Sequence, residues 1–239
     1  MAKLSILTYL VTQTSLSRRN ILDLLKRGEI FLNGCSVSHR EVIVDSSRDK
    51  VAINREVIPY TTPLLYYKLN KPKGIICSLS DERGRKDLRS IIEQISASLF
   101  PVGRLDRESQ GLLLLTNDGE WAHALLHPAF EMVKIYRVIL EEPVKKSVLR
   151  RLLTGFFLSD GPVRFDAIEI ETPTIVKVAI HEGRNRIIRR AFEHVDYPIK
   201  SLKRVSIGPI ELGKLRDGQW KPLTAKEVAI VSKHGAVAK

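Results

Sequence analysis

Residues 103–119 read GRLDRESQGLLLLTNDG, a charged loop that runs straight into four leucines and then a turn. The leucine run, bounded by Gly111 and by Asn117-Asp118-Gly119, predicts a strand buried on both faces. In an extended backbone Arg104 and Asp106 share one side and Leu105 takes the other. One carboxylate therefore stands between Arg104 and Arg107 at the mouth of a buried strand. Opposite charges within reach favour the ionised form of such a group. An ionised, partly desolvated Asp suits a nucleophile better than a general acid, with a structural salt bridge as the plain alternative.

Working outward, LLYYKLNKPKGIICSLSD (64–81) predicts a strand, a Pro-Gly loop and a second strand, and LRSIIEQI (88–95) predicts a helix. Downstream, EWAHALLHP reads as a helix ended by Pro128, and MVKIYRVIL, FDAIEIE and TIVKVAI read as strands. NRIIRRAFEHV then predicts a helix and IKSLKRVSI a strand. Helices and strands interleave irregularly, with no βαβ repeat carrying glycine-rich turns. The expected fold class is α+β, a mostly antiparallel or mixed sheet with flanking helices.

The first sixty residues read as a separate small α/β unit. Leu4, Leu7, Leu10 and Val11 have helical spacing, and Ser17 caps a second helix through Leu25 that stops at Gly28. EIFLNGCSV gives two short strands around Asn33-Gly34, and KVAIN gives another. Pro59 and Pro63 stiffen VIPYTTPLL as a linker. The expected domains are residues 1–60 and 61–239.

Lys and Arg number 39 against 27 acids, a net charge of +12, which points to a polyanionic partner, nucleic acid first. Two cysteines, Cys35 and Cys77, make neither a disulfide framework nor a zinc-finger spacing. The N-terminus lacks a signal-peptide pattern and a span-length apolar run, so a cytoplasmic protein with no membrane segment is expected. His123 and His127 are spaced i, i+4, but Ala124 stands where a zinc protease helix has Glu, and no metal is expected. Neither a P-loop nor GxSxG occurs. EGRNRIIRRAF is a denser signal: a helix over 185–193 brings Arg186, Arg189, Arg190 and Glu193 together, and guanidiniums at a helix start suit phosphate or a bidentate carboxylate.

Taken together, these stretches resemble the bacterial ribosomal-RNA pseudouridine synthases that modify single uridines. GRLDRESQGLLLLTNDG is similar to the family signature, and LNKPKG (69–74), LLHP…VKIYRV (125–138) and EGRNRIIRRAFEHVDYPIKSLKRVSIGPIELGKL (182–215) follow its other blocks in order. The resemblance covers about residues 65–225. The first sixty residues resemble the small RNA-binding domain, named after a ribosomal protein, that commonly precedes this catalytic domain.

The resemblance implies a pseudouridine synthase domain that needs no cofactor and acts as a monomer on ribosomal RNA or a ribosomal subunit precursor. It makes Asp106 the catalytic aspartate, Tyr136 the tyrosine that packs on the target base, and Arg189 the basic partner of the aspartate. Arg104 is implied to contact RNA and hold the nucleotide out of its stack. Arg184, Asn185, Arg186 and Arg190 are expected to bind substrate, and Arg18, Arg19, Lys26 and Arg27 to bind RNA from the small domain. Three features depart from the pattern: Ile187 stands where Gln is usual, Ala191 where Met is common, and the chain opens KLSIL. A non-catalytic RNA-binding or ribosome-assembly factor on the same fold is the alternative.

Overall fold

A computed structural model describes residues 3–14, 16–79, 84–96, 98–127 and 131–237. The chain divides into two compact units, Met1–Leu65 with Asn117–Glu120, and Tyr66–Thr116 with Trp121–Lys239.

In the first unit Ser5 and Ser17 each accept a hydrogen bond from a backbone N–H three residues on, at 3.2 Å, and so start helices Ile6–Gln13 and Arg18–Lys26. Leu4, expected in the first helix, lies instead in the strand Lys3–Ser5, because the cap at Ser5 requires an extended backbone there. Leu10, Ile21 and Leu25 pack with Ile30, Val44 and Val51 into a core of their own. A four-stranded antiparallel sheet runs Cys35–Ser36, Ile30–Leu32, Val51–Ile53, Glu56–Ile58. Asn33 and Gly34 both have positive φ, as the tight hairpin turn between the first two requires.

The second unit is built on a nine-stranded mixed sheet among the described residues. Its main order is Ala167–Thr172, Ile175–Ile180, Lys134–Leu140, Ile199–Ile207, Gln110–Thr116, Tyr66–Lys71, Trp220–Pro222. Phe100–Val102 and Ile210–Glu211 pair off this path. Gln110–Thr116 pairs in parallel with Ile199–Ile207, and the other pairings are antiparallel. Leu112, Leu113, Leu114 and Leu115 are fully buried, so both faces of this strand are covered. Helix Ile187–His194 packs Ile188, Ala191 and Phe192 into one core with Val138 and Val176. Helix Gly119–Leu126 sets Trp121 and Leu125 into another with Leu112 and Leu114.

Several expectations change. The second strand after the Pro-Gly loop is reduced to one isolated bridge, Ile76 to Asp87, because Ile76 and Ser78 bond to Lys86 and Leu88 within the loop itself. The helix over 88–95 shrinks to Arg89–Glu93. Helix Ile187–His194 begins two residues late because Arg186 takes a left-handed φ of 49°. Helix Lys146–Thr154 and the hairpin Phe156–Leu158/Gly161–Val163 were not anticipated. Pro128, expected to end the helix before it, lies outside the described residues. Among the described residues no helix is long and apolar enough to cross a membrane.

Gly111 joins the charged loop to the leucine strand at a φ of 106°. A Cβ there would lie 2.2 Å from the backbone oxygen of Arg204 on the neighbouring strand. Gly111→Ala should therefore lower stability by about 2–3 kcal/mol, from backbone strain and a clash that no rotamer relieves. Urea unfolding checks this, and a loss below about 0.5 kcal/mol would show that the two strands can part.

Candidate active site

The loop 103–109 leaves strand Phe100–Val102 and enters strand Gln110–Thr116. It is held almost atom by atom. The Leu105 N–H donates to Cys77 Sγ at 3.2 Å, and the Ser109 N–H closes a turn onto the Asp106 carbonyl at 3.0 Å. The Gly74 N–H donates to the Arg107 carbonyl at 2.8 Å. Three buried cations complete the grip. Arg189 Nη2 donates to the Glu108 carbonyl at 3.1 Å, Lys71 Nζ to the Ser109 carbonyl at 2.8 Å, and Arg204 Nε to the Leu112 carbonyl at 2.8 Å.

Asp106 projects from this loop, half-buried, into a cavity of about 630 Å³ that Arg104, Tyr136, Arg184, Ile187 and Arg204 also line. That volume suits a nucleotide-sized ligand. Leu105 is buried while Arg104 is exposed, the alternation expected of an extended segment.

Tyr136 lies on Lys134–Leu140, a strand flanked on both sides, at a register shift between Ile135 and Tyr136. Its cross-strand partner is Arg204. The Arg204 guanidinium is buried, with Cζ 6.0 Å from the Tyr136 ring centre and Nη1 3.5 Å from its hydroxyl. Arg204 is also paired in register with Gly111 on its other side, so one residue spans from the tyrosine to the strand that follows Asp106. Arg204 Nη2 and Ser109 Oγ are buried with no hydrogen-bond partner among the described residues, two polar groups beside the cavity that their residues line.

Burial lowers the pKa of Lys71, and nearby Cys77, Asp106 and Glu108 oppose that fall. Arg189 is likewise lowered by burial, then by Arg186, and raised by Asp106 and Glu108. Burial pushes the Cys77 thiol up, leaving it a neutral acceptor for the Leu105 N–H.

The expected residues fall into distinct groups. Asp106, Tyr136, Arg104, Arg184, Asn185 and Arg186 line the cavity. Arg189 is buried outside that lining and forms no ion pair with Asp106; its guanidinium reaches the loop two residues further on and holds the Glu108 and Ile199 carbonyls. It grips the chain that carries the acid rather than the acid. Arg184 and Arg190 are bound to Asp160. Arg18, Arg19, Lys26 and Arg27 are exposed on the first unit, and among the described residues only Lys26 of these shows an ion pair, 3.9 Å to Asp23. Ile187, in place of the usual Gln, is 5% exposed and gives the cavity an apolar wall. Sequence reasoning missed Lys71, Cys77 and Arg204. The first and last lie within the quoted LNKPKG and LKRV blocks, the only signal that separated them from surface cations.

Arg189→Met removes a charged donor from the part-buried bond to the Glu108 carbonyl, which should cost about 1–3 kcal/mol. Equilibrium unfolding in urea measures it, and an unchanged midpoint would show that Glu108 does not depend on the guanidinium.

A model of the RNA pseudouridylate synthase family matches residues 66–194. The chain is 36% identical over 218 residues to the ribosomal large subunit pseudouridine synthase B of Bacillus subtilis, covering 89% of this chain and 87% of that one. It is 32% identical over 218 residues to the dual-specificity RNA pseudouridine synthase RluF of Escherichia coli, covering 89% and 72% respectively. A crystal structure of a pseudouridylate synthase superposes with a TM-score of 0.67 at 27% identity, over 95% of this chain and 99% of that one. On sequence and architecture together, the chain belongs to the RNA pseudouridylate synthase family.

Proposed function

We propose that this protein isomerises a specific uridine of ribosomal RNA to pseudouridine, with Asp106 acting on a nucleotide turned out of its stack. The observation that carries the reading is the Asp106 carboxylate, presented by a hydrogen-bonded loop to a nucleotide-sized cavity that Tyr136 also lines. Family membership and a relative named for the large ribosomal subunit support the substrate class.

The reaction breaks the N1–C1′ bond, turns the uracil, forms C5–C1′, releases the C5 proton and leaves N1 with a proton taken from solvent. No atom of the nucleotide is lost besides that exchanged proton, so the chemistry asks for an anion at the sugar, a wall for the ring and a cavity that keeps the detached base. Asp106 supplies the anion, whether it attacks C1′ or C6 or takes a ribose proton. Tyr136 supplies a flat face for the ring and a phenol to assist the late proton transfer. Arg204 steadies that phenol; such contacts are often long before substrate arrives and tighten in the complex. Uracil carbonyl oxygens gain negative charge as N1–C1′ breaks, and the guanidinium beside Tyr136 opposes it. Arg189 and Lys71 keep the Asp106 loop in place through its carbonyls. Arg104, exposed on the lip, contacts RNA and holds the flipped nucleotide, whose unstacking costs a few kcal/mol. Residues 1–60 act as the RNA-binding domain, through Arg18, Arg19, Lys26 and Arg27, and residues 61–239 as the catalytic one. On this reading the protein works in the cytoplasm as a monomer, without a cofactor, on ribosomal RNA or a subunit precursor.

Comparing pseudouridine maps of total ribosomal RNA with and without the protein tests the activity and finds the target together; identical maps would sink the reading. Asp106→Asn should abolish tritium release from RNA labelled at uridine C5 while RNA binding stays within about twofold, since the change removes charge from the reacting centre alone. Normal turnover by that variant would remove Asp106 from its role. Arg18→Ala with Lys26→Ala should weaken RNA binding and flatten its salt dependence by about 0.7 per lost phosphate contact. An unchanged slope would take that helix off the RNA path.

A further inference from the structure

The arginines that the sequence assigns to substrate are matched by acids on the same rim. Arg184 donates Nε to Glu182 at 2.6 Å and Nη1 to the Asp160 carboxylate at 2.9 Å and to its carbonyl at 3.1 Å. It also donates Nη2 to the Pro162 carbonyl. Arg190 Nη2 holds the other Asp160 oxygen at 2.7 Å, and its buried Nε has no acceptor. Arg186 stands 3.7 Å from Glu193. In a protein of net charge +12, these three arginines are thus answered by three acids, Asp160, Glu182 and Glu193.

Asp160 sits in the turn between strands Phe156–Leu158 and Gly161–Val163. Two guanidiniums, one from the loop that lines the cavity and one from helix Ile187–His194, each take one of its oxygens. Planar guanidinium forks converging on one anion are the arrangement that holds a phosphate. The Asp160 side chain is 40% exposed, so a competing anion can reach the pair, and exposed ion pairs hold weakly. The hydrogen bond from Arg190 lowers the Asp160 pKa, so the carboxylate occupies the site at neutral pH.

We propose that Asp160 masks a phosphate-binding site: its carboxylate stands in for an RNA backbone phosphate between Arg184 and Arg190 and yields when a substrate strand crosses the rim. The exchange swaps one anion for another on the same donors. A strand merely passing offers its phosphate at bulk concentration and competes poorly with a tethered carboxylate. A strand whose uridine is already in the cavity offers it at a far higher effective concentration. The two arginines are thereby withheld from RNA that lacks a seated nucleotide, so Asp160 raises specificity by lowering affinity for such RNA. This inference rests on the RNA-modifying reading above.

The test is fluorescence anisotropy of the full-length protein with a labelled mixed-sequence single-stranded RNA of about 20 nucleotides, over about 50–300 mM KCl. Asp160→Asn should bind several-fold more tightly at the lowest salt. Its log–log salt slope should steepen by up to about 1.4, or 0.7 for each arginine released. Arg184→Met with Arg190→Met should cost more in the Asp160→Asn background than in the wild-type one and take the gain away. Circular dichroism and thermal melting confirm that each variant folds. Unchanged or weaker binding by Asp160→Asn overturns the inference, showing a carboxylate that only braces the loop. A gain that survives loss of both arginines also overturns it, since removed repulsion then explains everything. If neither wild type nor variant binds RNA at any salt, the RNA reading falls and takes this inference with it. Tight wild-type binding with an inert Asp160 sinks the inference alone.

Discussion

Three buried cations hold the backbone that carries Asp106. Lys71, Arg189 and Arg204 come from a strand, a helix and another strand, and each donates to a carbonyl between Glu108 and Leu112. Burying a charge costs several kcal/mol unless it is well bonded, so these side chains are expensive as mere fillers. A charged donor gripping a carbonyl is stronger than a neutral one, and three on consecutive stretches leave the loop little freedom. The cations also repel one another: Arg204 adds to the lowering of Lys71, and Arg186 to that of Arg189. Asp106 and Glu108 offset that repulsion. The acid that faces the cavity is thus also part of what keeps its own scaffold charged.

The sheet supplies the second half of the site by register. Arg204 lies opposite Tyr136 on one side and Gly111 on the other, so a single strand relates the aromatic wall to the carboxylate loop. The close approach of Gly111 to the Arg204 backbone makes that relation rigid, because the strands meet where no side chain fits. The register shift beside Tyr136 leaves Val205 as the extra residue of the facing strand, which brings Arg204 opposite the tyrosine. Cavity shape follows from pairing rather than from the side chains alone.

Charge is distributed by purpose. Arginines on the rim are answered by Asp160, Glu182 and Glu193, whereas Arg18, Arg19 and Arg27 on the first unit carry no ion pair among the described residues. A surface left positive attracts any polyanion over a Debye length or so. A surface neutralised by its own acids responds only to a ligand placed against it. Both kinds occur in this chain, and composition alone reports only their sum.

By itself the sequence determined the leucine strand, the Ser17 cap, the Asn33-Gly34 turn and the α+β class, because these depend on local pattern and backbone preference. The block order also carried the family and pointed to Asp106 and Tyr136. It misplaced the strand after the Pro-Gly loop, whose hydrogen bonds close locally, and did not anticipate the hairpin that bears Asp160. It also joined Arg189 to Asp106, where the guanidinium holds a neighbouring carbonyl instead. Only the tertiary structure decided that Lys71 and Arg204 are buried clamps and that Arg184 and Arg190 share a carboxylate. A cation in a sequence looks the same whether it faces water or a carbonyl. The difference is made by residues about 30 to 90 positions away, brought within 3 Å by strand pairing around Lys71 and Arg204 and by a helix meeting a hairpin turn at Arg190.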